Sequence, residues 1–222
     1  MDDDIGRKLF WIGHSSFYIK GENATVFIDP FRIGKVNLKA DIILVTHPHF
    51  DHFSREDIEK VSKNSTAIVA SEGTIEGKED KNSYIARPGF KTKISGIGIE
   101  AVPAYNMESA RIGFHPKSNG WVGYVIEVDG KRFYHAGDTD KISEMEELGK
   151  LDVAMLPIGG TYTMDVDDAI EAAAMIGANA TVPMHYKNLL GIEGAKAVED
   201  KFSKEVKGAT LMREVNEPTF AF

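Results

Sequence analysis

The residue types best suited to chemistry crowd into one short string, Thr46-His47-Pro48-His49-Phe50-Asp51-His52, an H-x-H-x-D-H pattern. In an extended loop, residues two apart point the same way, so His47 and His49 can grip one cation. If the chain then turns toward a helix opening near Ser54, Asp51 and His52 project from that turn and can reach a second cation. Neutral imidazole and carboxylate suit zinc, with manganese and iron as alternatives. The 222 residues include no cysteine, which excludes disulfides, thiolate zinc sites, iron–sulfur clusters and cysteine nucleophiles, and leaves His and carboxylates as the ligands of any transition metal. Ser15, in Gly13-His14-Ser15-Ser16, lacks the G-x-S-x-G elbow of a serine nucleophile.

The elements that must position these residues are legible from periodicity. Polar residues follow apolar runs at four places: Asp29 after Val26-Phe27-Ile28, His47 after Ile42 to Val45, Asp138 after Phe133 to Gly137, and His185 after Thr181 to Met184. Strand ends gathered at one sheet edge are where α/β folds place their sites. Residues 8–28 read as a hairpin broken at Gly21-Glu22-Asn23, and 41–45 as a strand buried on both faces. Ser54 caps a helix, 66–70 is a strand, and 72–84 is loop. Strands follow at 97–102, 122–128 and 132–135, the last two joined by an Asp129-Gly130 turn. Ile142, Met145 and Leu148 fall at helical spacing. A strand at 153–156, a helix from an Asp165 or Asp167 cap to Gly177, a strand at 181–184, a helix at 195–202 and a strand at 210–215 complete the reading. Phe10, Ile43, Val45, Val125 and Leu156 are core candidates. Hairpins first, then strands alternating with helices, predict one α/β domain of layered sheets over residues 1–222.

At the H-x-H-x-D-H string the sequence resembles the metallo-β-lactamase superfamily, and further matches spread over nearly the whole chain. Trp11-Ile12-Gly13-His14-Ser15 followed by Ile28-Asp29-Pro30 is similar to the opening of its small cytoplasmic metal-dependent hydrolases, the group near ascorbate-6-phosphate lactonase. Tyr134-His135-Ala136-Gly137-Asp138-Thr139, Leu156-Pro157-Ile158-Gly159 through Thr163-Met164, and Pro183-Met184-His185-Tyr186 resemble later signatures of that group. The resemblance implies a four-layer αββα sandwich with two divalent metal ions at one edge. It implies His47 and His49 on the first metal, Asp51, His52 and His185 on the second, and Asp138 bridging both. The family supplies a third histidine to the first metal from mid-chain. Here Val102-Pro103-Ala104-Tyr105-Asn106 matches that stretch, with Asn106 where the histidine is expected. His115, nine residues on, could fold back to fill the place, so Asn106 and His115 stand as alternatives. If neither ligates, the centre is mononuclear or selective for a harder ion.

Other residues near these motifs have two readings each. His14 is a substrate contact, a hydrogen-bond donor behind the metals, or a strand-end histidine satisfied by backbone. His135 reads as structural or as a support for a ligand, and Asp29 as a residue orienting the His loop rather than a plain Asp-Pro turn. Trp121 reads as strand packing rather than pocket lining. Gly159-Gly160-Thr161-Tyr162-Thr163 could offer donors near the metals or be a simple turn. Tyr186 and Lys187 could touch an anionic substrate, against the plainer reading of a solvated loop lysine.

The chemistry that follows is hydrolysis of a small ester, lactone or phosphoester by metal-bound hydroxide, with Asp51 and Asp138 as catalytic residues. A small-nucleotide phosphodiesterase and a non-catalytic metal-dependent sensor are the alternatives. The net charge of −8 counts against long nucleic acids. No run approaches the ~20 apolar residues of a membrane span. The expected address is cytoplasmic, the expected partner a small-molecule substrate, and no heptad pattern sets an oligomeric state.

Overall fold

Successive side chains of the first strands alternate between two apolar surroundings. A helical turn, α1 (Asp3–Gly6), leads into β1 (Leu9–Gly13), β2 (Ser16–Lys20), β3 (Thr25–Ile28), β4 (Ile42–Val45), helix α2 (Arg55–Val61), β5 (Ala67–Ser71) and β6 (Ser83–Ala86). Leu9, Trp11, Phe17, Ile19, Val26, Ile28, Ile42 and Leu44 point into the main core. Their neighbours Ile12, Tyr18, Phe27, Ile43 and Val45 point the other way, onto Ile58 and Val61 of α2. Burial on both faces is why β4 reads as an unbroken apolar run. The computed structural model describes residues 3–34, 36–75 and 82–215.

These strands form one sheet in sequence order, antiparallel from β1 to β3 and parallel from β3 to β6. The second sheet comprises β7 (Lys91–Ile94), β8 (Ile97–Pro103), β9 (Val122–Val128), β10 (Lys131–His135), β11 (Val153–Pro157) and β12 (Ala180–Met184), in the order β12-β11-β10-β9-β8-β7. Strands β10 to β12 are parallel. Helix α3 (Val166–Ile176) packs on β11 and α4 (Lys187–Glu205) on β12. The layers are therefore helix, sheet, sheet, helix, the αββα sandwich that the sequence implies. Among the described residues, no helix is long and apolar enough to cross a membrane.

Local signals hold where side chains or turn chemistry dictate them. Ser54 Oγ accepts from Asp57 N at 3.3 Å to cap α2, and Asp165 Oδ1 accepts from Asp167 N and Asp168 N to cap α3. Asp129 and Gly130 both take positive φ, as the tight turn between β9 and β10 requires. Three expectations change. Residues 8–28 hold three strands, because the chain also reverses at Gly13-His14, where φ is 144° and 53°. The last helix begins at Lys187 and breaks at Gly191. Residues 210–215 form no strand. They cross from the edge of β12, which Ala209 bridges through Thr181, to the edge of β1, which Glu214 bridges through Trp11, so neither sheet can pair with them continuously. Strands β6 and β7 fall in stretches with no expected strand. Of the 72–84 loop, residues 76–81 lie outside the described residues.

Candidate metal centre

Strands β1, β3 and β4 of the first sheet run the same way, as do β10 to β12 of the second. Their C-terminal ends deliver His14, Asp29, His47, Asp138 and His185 to one edge of the sandwich. Two backbone contacts stitch the edge together: His185 N donates to His14 O at 3.1 Å, and Val122 N to Thr46 O at 3.3 Å. The approach is close enough to need glycine. A Cβ on Gly137, whose φ is 65°, would lie 2.9 Å from Val122 O, and one on Gly159 would lie 2.2 Å from His185 O.

The H-x-H-x-D-H loop turns as the spacing predicts, with His52 N and Phe53 N donating to His49 O. Potential ligand atoms then fall into three overlapping groups, each with its members within 4.8 Å of one another: His47, His49 and His115; His14, Asp51, His52 and His185; and His47, His52 and Asp138. His47 Nε2 lies 3.1 Å from His49 Nδ1. Asp138 stands between the groups, with Oδ1 3.3 Å from His52 Nε2 and Oδ2 3.3 Å from His115 Nε2 and 3.1 Å from His185 Nε2. All seven sequence-predicted site residues come together: His47, His49, Asp51, His52, His115, Asp138 and His185.

Asn106 and His115 take different places in the structure. His115 folds into the cluster, and Asn106 stands behind it, its Oδ1 accepting from His115 Nδ1 at 2.9 Å. Asn106 is itself held by its Nδ2, which donates to Asp140 Oδ1 and to Tyr162 O, both at 3.1 Å. The same device recurs. His52 Nδ1 donates to Asp29 Oδ2 at 2.7 Å, and His47 Nδ1 donates to Thr46 Oγ1 at 3.0 Å, whose hydroxyl donates onward to Asp29 Oδ2 at 2.7 Å. With Nδ1 occupied, each ring turns Nε2 inward, the arrangement by which supporting residues orient metal-binding imidazoles. Asp29 thus supports the His loop. Neither Thr46 nor Asn106 is readable as a support from sequence, because nothing local links them to the rings they hold.

His14 joins the cluster, its Nε2 donating to Asp51 Oδ2 at 3.0 Å. His135 does not: its Nε2 donates to Ser15 O at 2.8 Å and its Nδ1 accepts from Gly137 N, so it ties β10 to the opposite sheet. Tyr186 and Lys187 turn away from the cavity. Tyr186 donates to Glu199 and stacks with Trp11, and the Lys187 ammonium sits over the Trp11 ring. Trp121 corrects the packing expectation: its ring lies 4.9–5.7 Å from those of His47, His49 and His115 and walls that triad.

Electrostatics follow from this crowding. Burial pushes His47 well below the ordinary histidine range, with the neighbouring His52 charge adding to it, and burial also lowers His49 and His14. Burial would lower His52 too, but the carboxylates of Asp138 and Asp29 more than reverse it and hold the ring protonated well above that range. Burial alone would raise Asp138, yet the surrounding histidines, His185 foremost, hold it well below the ordinary carboxylate range. Burial likewise works to raise Asp51, and the hydrogen bond from His14 wins, leaving it at about 2.

Buried polar atoms ordinarily find partners. Here His52 Nε2, His115 Nε2, His185 Nε2 and Asp138 Oδ1 are buried without a hydrogen bond, although they lie close together. Such a set of inward-facing imidazole nitrogens and carboxylate oxygens fits a metal centre, and these residues could hold the ion. Above them opens a cavity of about 360 Å³. His49, Asp51, His115, Asp138 and His185 form its floor, and Phe50, Phe114, Tyr162 and Leu189 its walls.

Comparison with known proteins agrees with this geometry. The profile of the beta-lactamase superfamily domain matches residues 8–185. A Thermoplasma volcanium protein described as a UPF0173 metal-dependent hydrolase is 37% identical over 226 residues, covering 95% of this chain and 97% of its own. A solved structure from Parabacteroides distasonis superposes with a TM-score of 0.80 at 34% identity, covering 94% of this chain and 93% of that one. A metallo hydrolase from Ignicoccus hospitalis superposes with a TM-score of 0.73 at 28% identity, over 97% and 98% of the two chains. The chain belongs to the beta-lactamase superfamily, and within it to the UPF0173 metal-dependent hydrolases.

Proposed function

We infer that this protein is a metal-dependent hydrolase of small esters, lactones or phosphoesters, built on two divalent cations, zinc or alternatively manganese or iron. The observation that carries the reading is the overlap of the ligand groups through His47, His52 and Asp138. His47, His49 and His115 would hold one ion, Asp51, His52 and His185 the other, and Asp138 would be shared. When bound, the ions supply an activated water and an electrophilic position for the substrate oxygen. Asp51 stays ionised across the neutral range, so its carboxylate can accept a hydrogen bond from the attacking water and orient it. It can also carry that proton briefly to the leaving group. His14 holds Asp51 in place through Oδ2, and Asp29, Thr46 and Asn106 fix the rings. Phe50, Phe114 and Tyr162 narrow the access of bulk water from above. A cytoplasmic address and a small-molecule substrate go with this reading.

The ground for a non-catalytic sensor is the lack of a third imidazole in the first group, and the place of His115 beside His47 and His49 speaks for the enzyme instead. Elemental analysis joined to turnover of an ester, lactone and phosphodiester panel tests the reading. Two ions per chain and chelator-sensitive turnover are expected. Tightly held metal with no turnover on any member of the panel would refute it.

A further inference from the structure

The walls of the cavity differ in kind from its floor. Phe50 is 77% exposed, Phe114 41% and Tyr162 38%, a costly display of ring surface unless something covers it. Three more exposed apolar side chains flank them on the same segments: Met107 and Ile112 on the 104–121 loop that carries Phe114, and Ile192 just beyond Leu189. Each wall ring is also bolted to the centre. Phe50 lies between His49 and Asp51, Phe114 immediately precedes His115, and Tyr162 offers its carbonyl to Asn106. Phe114 and Tyr162 meet edge to face, with centroids 4.8 Å apart, while Phe50 rests edge-on against Phe31 at 6.2 Å. Two braced aromatic groups therefore line the cavity that also holds the ligand cluster.

Cations are missing from this lining. Among the described residues, no lysine or arginine lines the cavity. Of those nearby, Arg111 pairs with Asp140 and Asp168, Lys117 with Glu144, Lys187 sits over Trp11, and Arg32 lies over the Phe31 ring, outside the lining. The floor's ions would engage the reacting group, but a phosphate or carboxylate on the non-reacting part of a substrate would find no counter-charge on the walls. The volume lies in the range of small-molecule sites, and the floor is the reacting centre, so the occupant is a substrate.

We propose that the cavity selects an uncharged carboxylic ester or lactone bearing a flat aromatic group, gripped between Phe50 and the Phe114–Tyr162 pair while its carbonyl meets the His/Asp floor. This rests on the hydrolase reading. It excludes phosphorylated and nucleotide substrates that the chemistry of the floor alone would admit. In the reaction, water adds to the ester carbonyl, the acyl–oxygen bond breaks, and the alcohol leaves with a proton from that water, so no further reactant is needed.

The test uses the full-length, metal-loaded protein and three methyl esters with a common leaving group: methyl 3-phenylpropanoate, methyl butanoate and monomethyl succinate. Acid release reports kcat/KM. The phenyl ester should lead each of the others by about ten-fold or more, the worth of one well-made aromatic contact. Phe114→Ala and Phe50→Ala should each shrink that ratio several-fold. Equal turnover of the succinate half-ester, or an unmoved ratio in both variants, would overturn the proposal while leaving the hydrolase reading standing. Binding without turnover separates the two claims. 4-Phenylbutan-2-one, which has no leaving group, should quench tryptophan fluorescence of the metal-free protein through Trp121, and do so more weakly in Phe114→Ala. Ketone binding with no hydrolysis of any ester would sink the hydrolase reading and keep the pocket's selectivity. No ketone binding, or phenyl phosphate binding as tightly, would sink the pocket.

Discussion

Asn106→Ala isolates the part of the centre that sequence matching leaves open. The substitution removes the acceptor 2.9 Å from His115 Nδ1 and the amide that reaches Asp140 and Tyr162. His115 is buried, so its Nδ1–H is left unpaired or its proton moves to Nε2, the nitrogen aimed at the cluster. Either outcome spoils a ligand without deleting it. Loss of such a support costs roughly 10–100-fold in metal affinity, or about 1.4–2.7 kcal/mol. The fold pays separately for the orphaned groups, by about 1–3 kcal/mol, although Arg111 at 3.0 Å still satisfies Asp140. Zinc titration against a competing chelator separates the two proposed binding steps. One binding step should weaken by that factor while the other holds, and His115→Ala should abolish the same step. If both steps in Asn106→Ala match the parent protein, Asn106 does not orient His115 and the argument fails. Equal weakening of both steps would trace the effect to global damage instead.

The remaining predictions address the shared and supporting groups. Asp138→Ala should lose both ions and nearly all turnover; full metal content with full rate would remove Asp138 from the bridging position. The raised pKa of His52 fixes the sign of a pH effect. In the metal-free protein its ion pairs with Asp29 and Asp138 stabilise the fold fully below the unfolded value near 6.5 and fade as pH climbs through the higher folded value. A metal must displace that proton, so affinity should rise between pH 6 and pH 8 with about one proton released from His52. Calorimetry in buffers of different ionisation enthalpy measures it, and a flat profile would contradict the assignment. Asp29→Ala removes acceptors 2.7–2.8 Å from Thr46 N, Thr46 Oγ1 and His52 Nδ1, and should cost about 3–5 kcal/mol in chemical denaturation. A loss below about 1 kcal/mol would mean those buried donors find other partners.

What the sequence made legible was whatever acts locally. The H-x-H-x-D-H string gathers its side chains as spaced because its three histidines, Asp51 and the turn lie within one loop. Layered sheets followed from the doubly buried run of β4 and from hairpin chemistry at Asp129-Gly130, whereas the αββα order was implied by the resemblance. Illegible features depend on distant partners. Asn106 matters through His115 and Asp140, and Trp121 through rings on another sheet. Strand β7 shows an exposed, half-buried alternation of Lys91-Thr92-Lys93-Ile94, an edge strand whose charges mask its period. Residues 210–215 have strand-like composition but lie between two sheet edges.

The centre also stores strain that a bound ion could offset. His14, Asp29 and His185 all take positive φ, at 53°, 45° and 58°, directly after β1, β3 and β12. Asp and His are among the types that enter this region most often, yet each such residue still costs on the order of 1–3 kcal/mol. The backbone bonds that hold them serve the site: Asp29 N donates to Leu44 O, and His185 N to His14 O. Strain at three strand ends of the site, together with four inward-facing buried atoms that make no hydrogen bond, means that coordination would release energy the metal-free fold carries. Ions bound there would then help to stabilise this edge of the sandwich, and saturating zinc should raise the melting temperature far more in the parent protein than in Asp138→Ala. Equal shifts in the two proteins would show that the metal acts elsewhere.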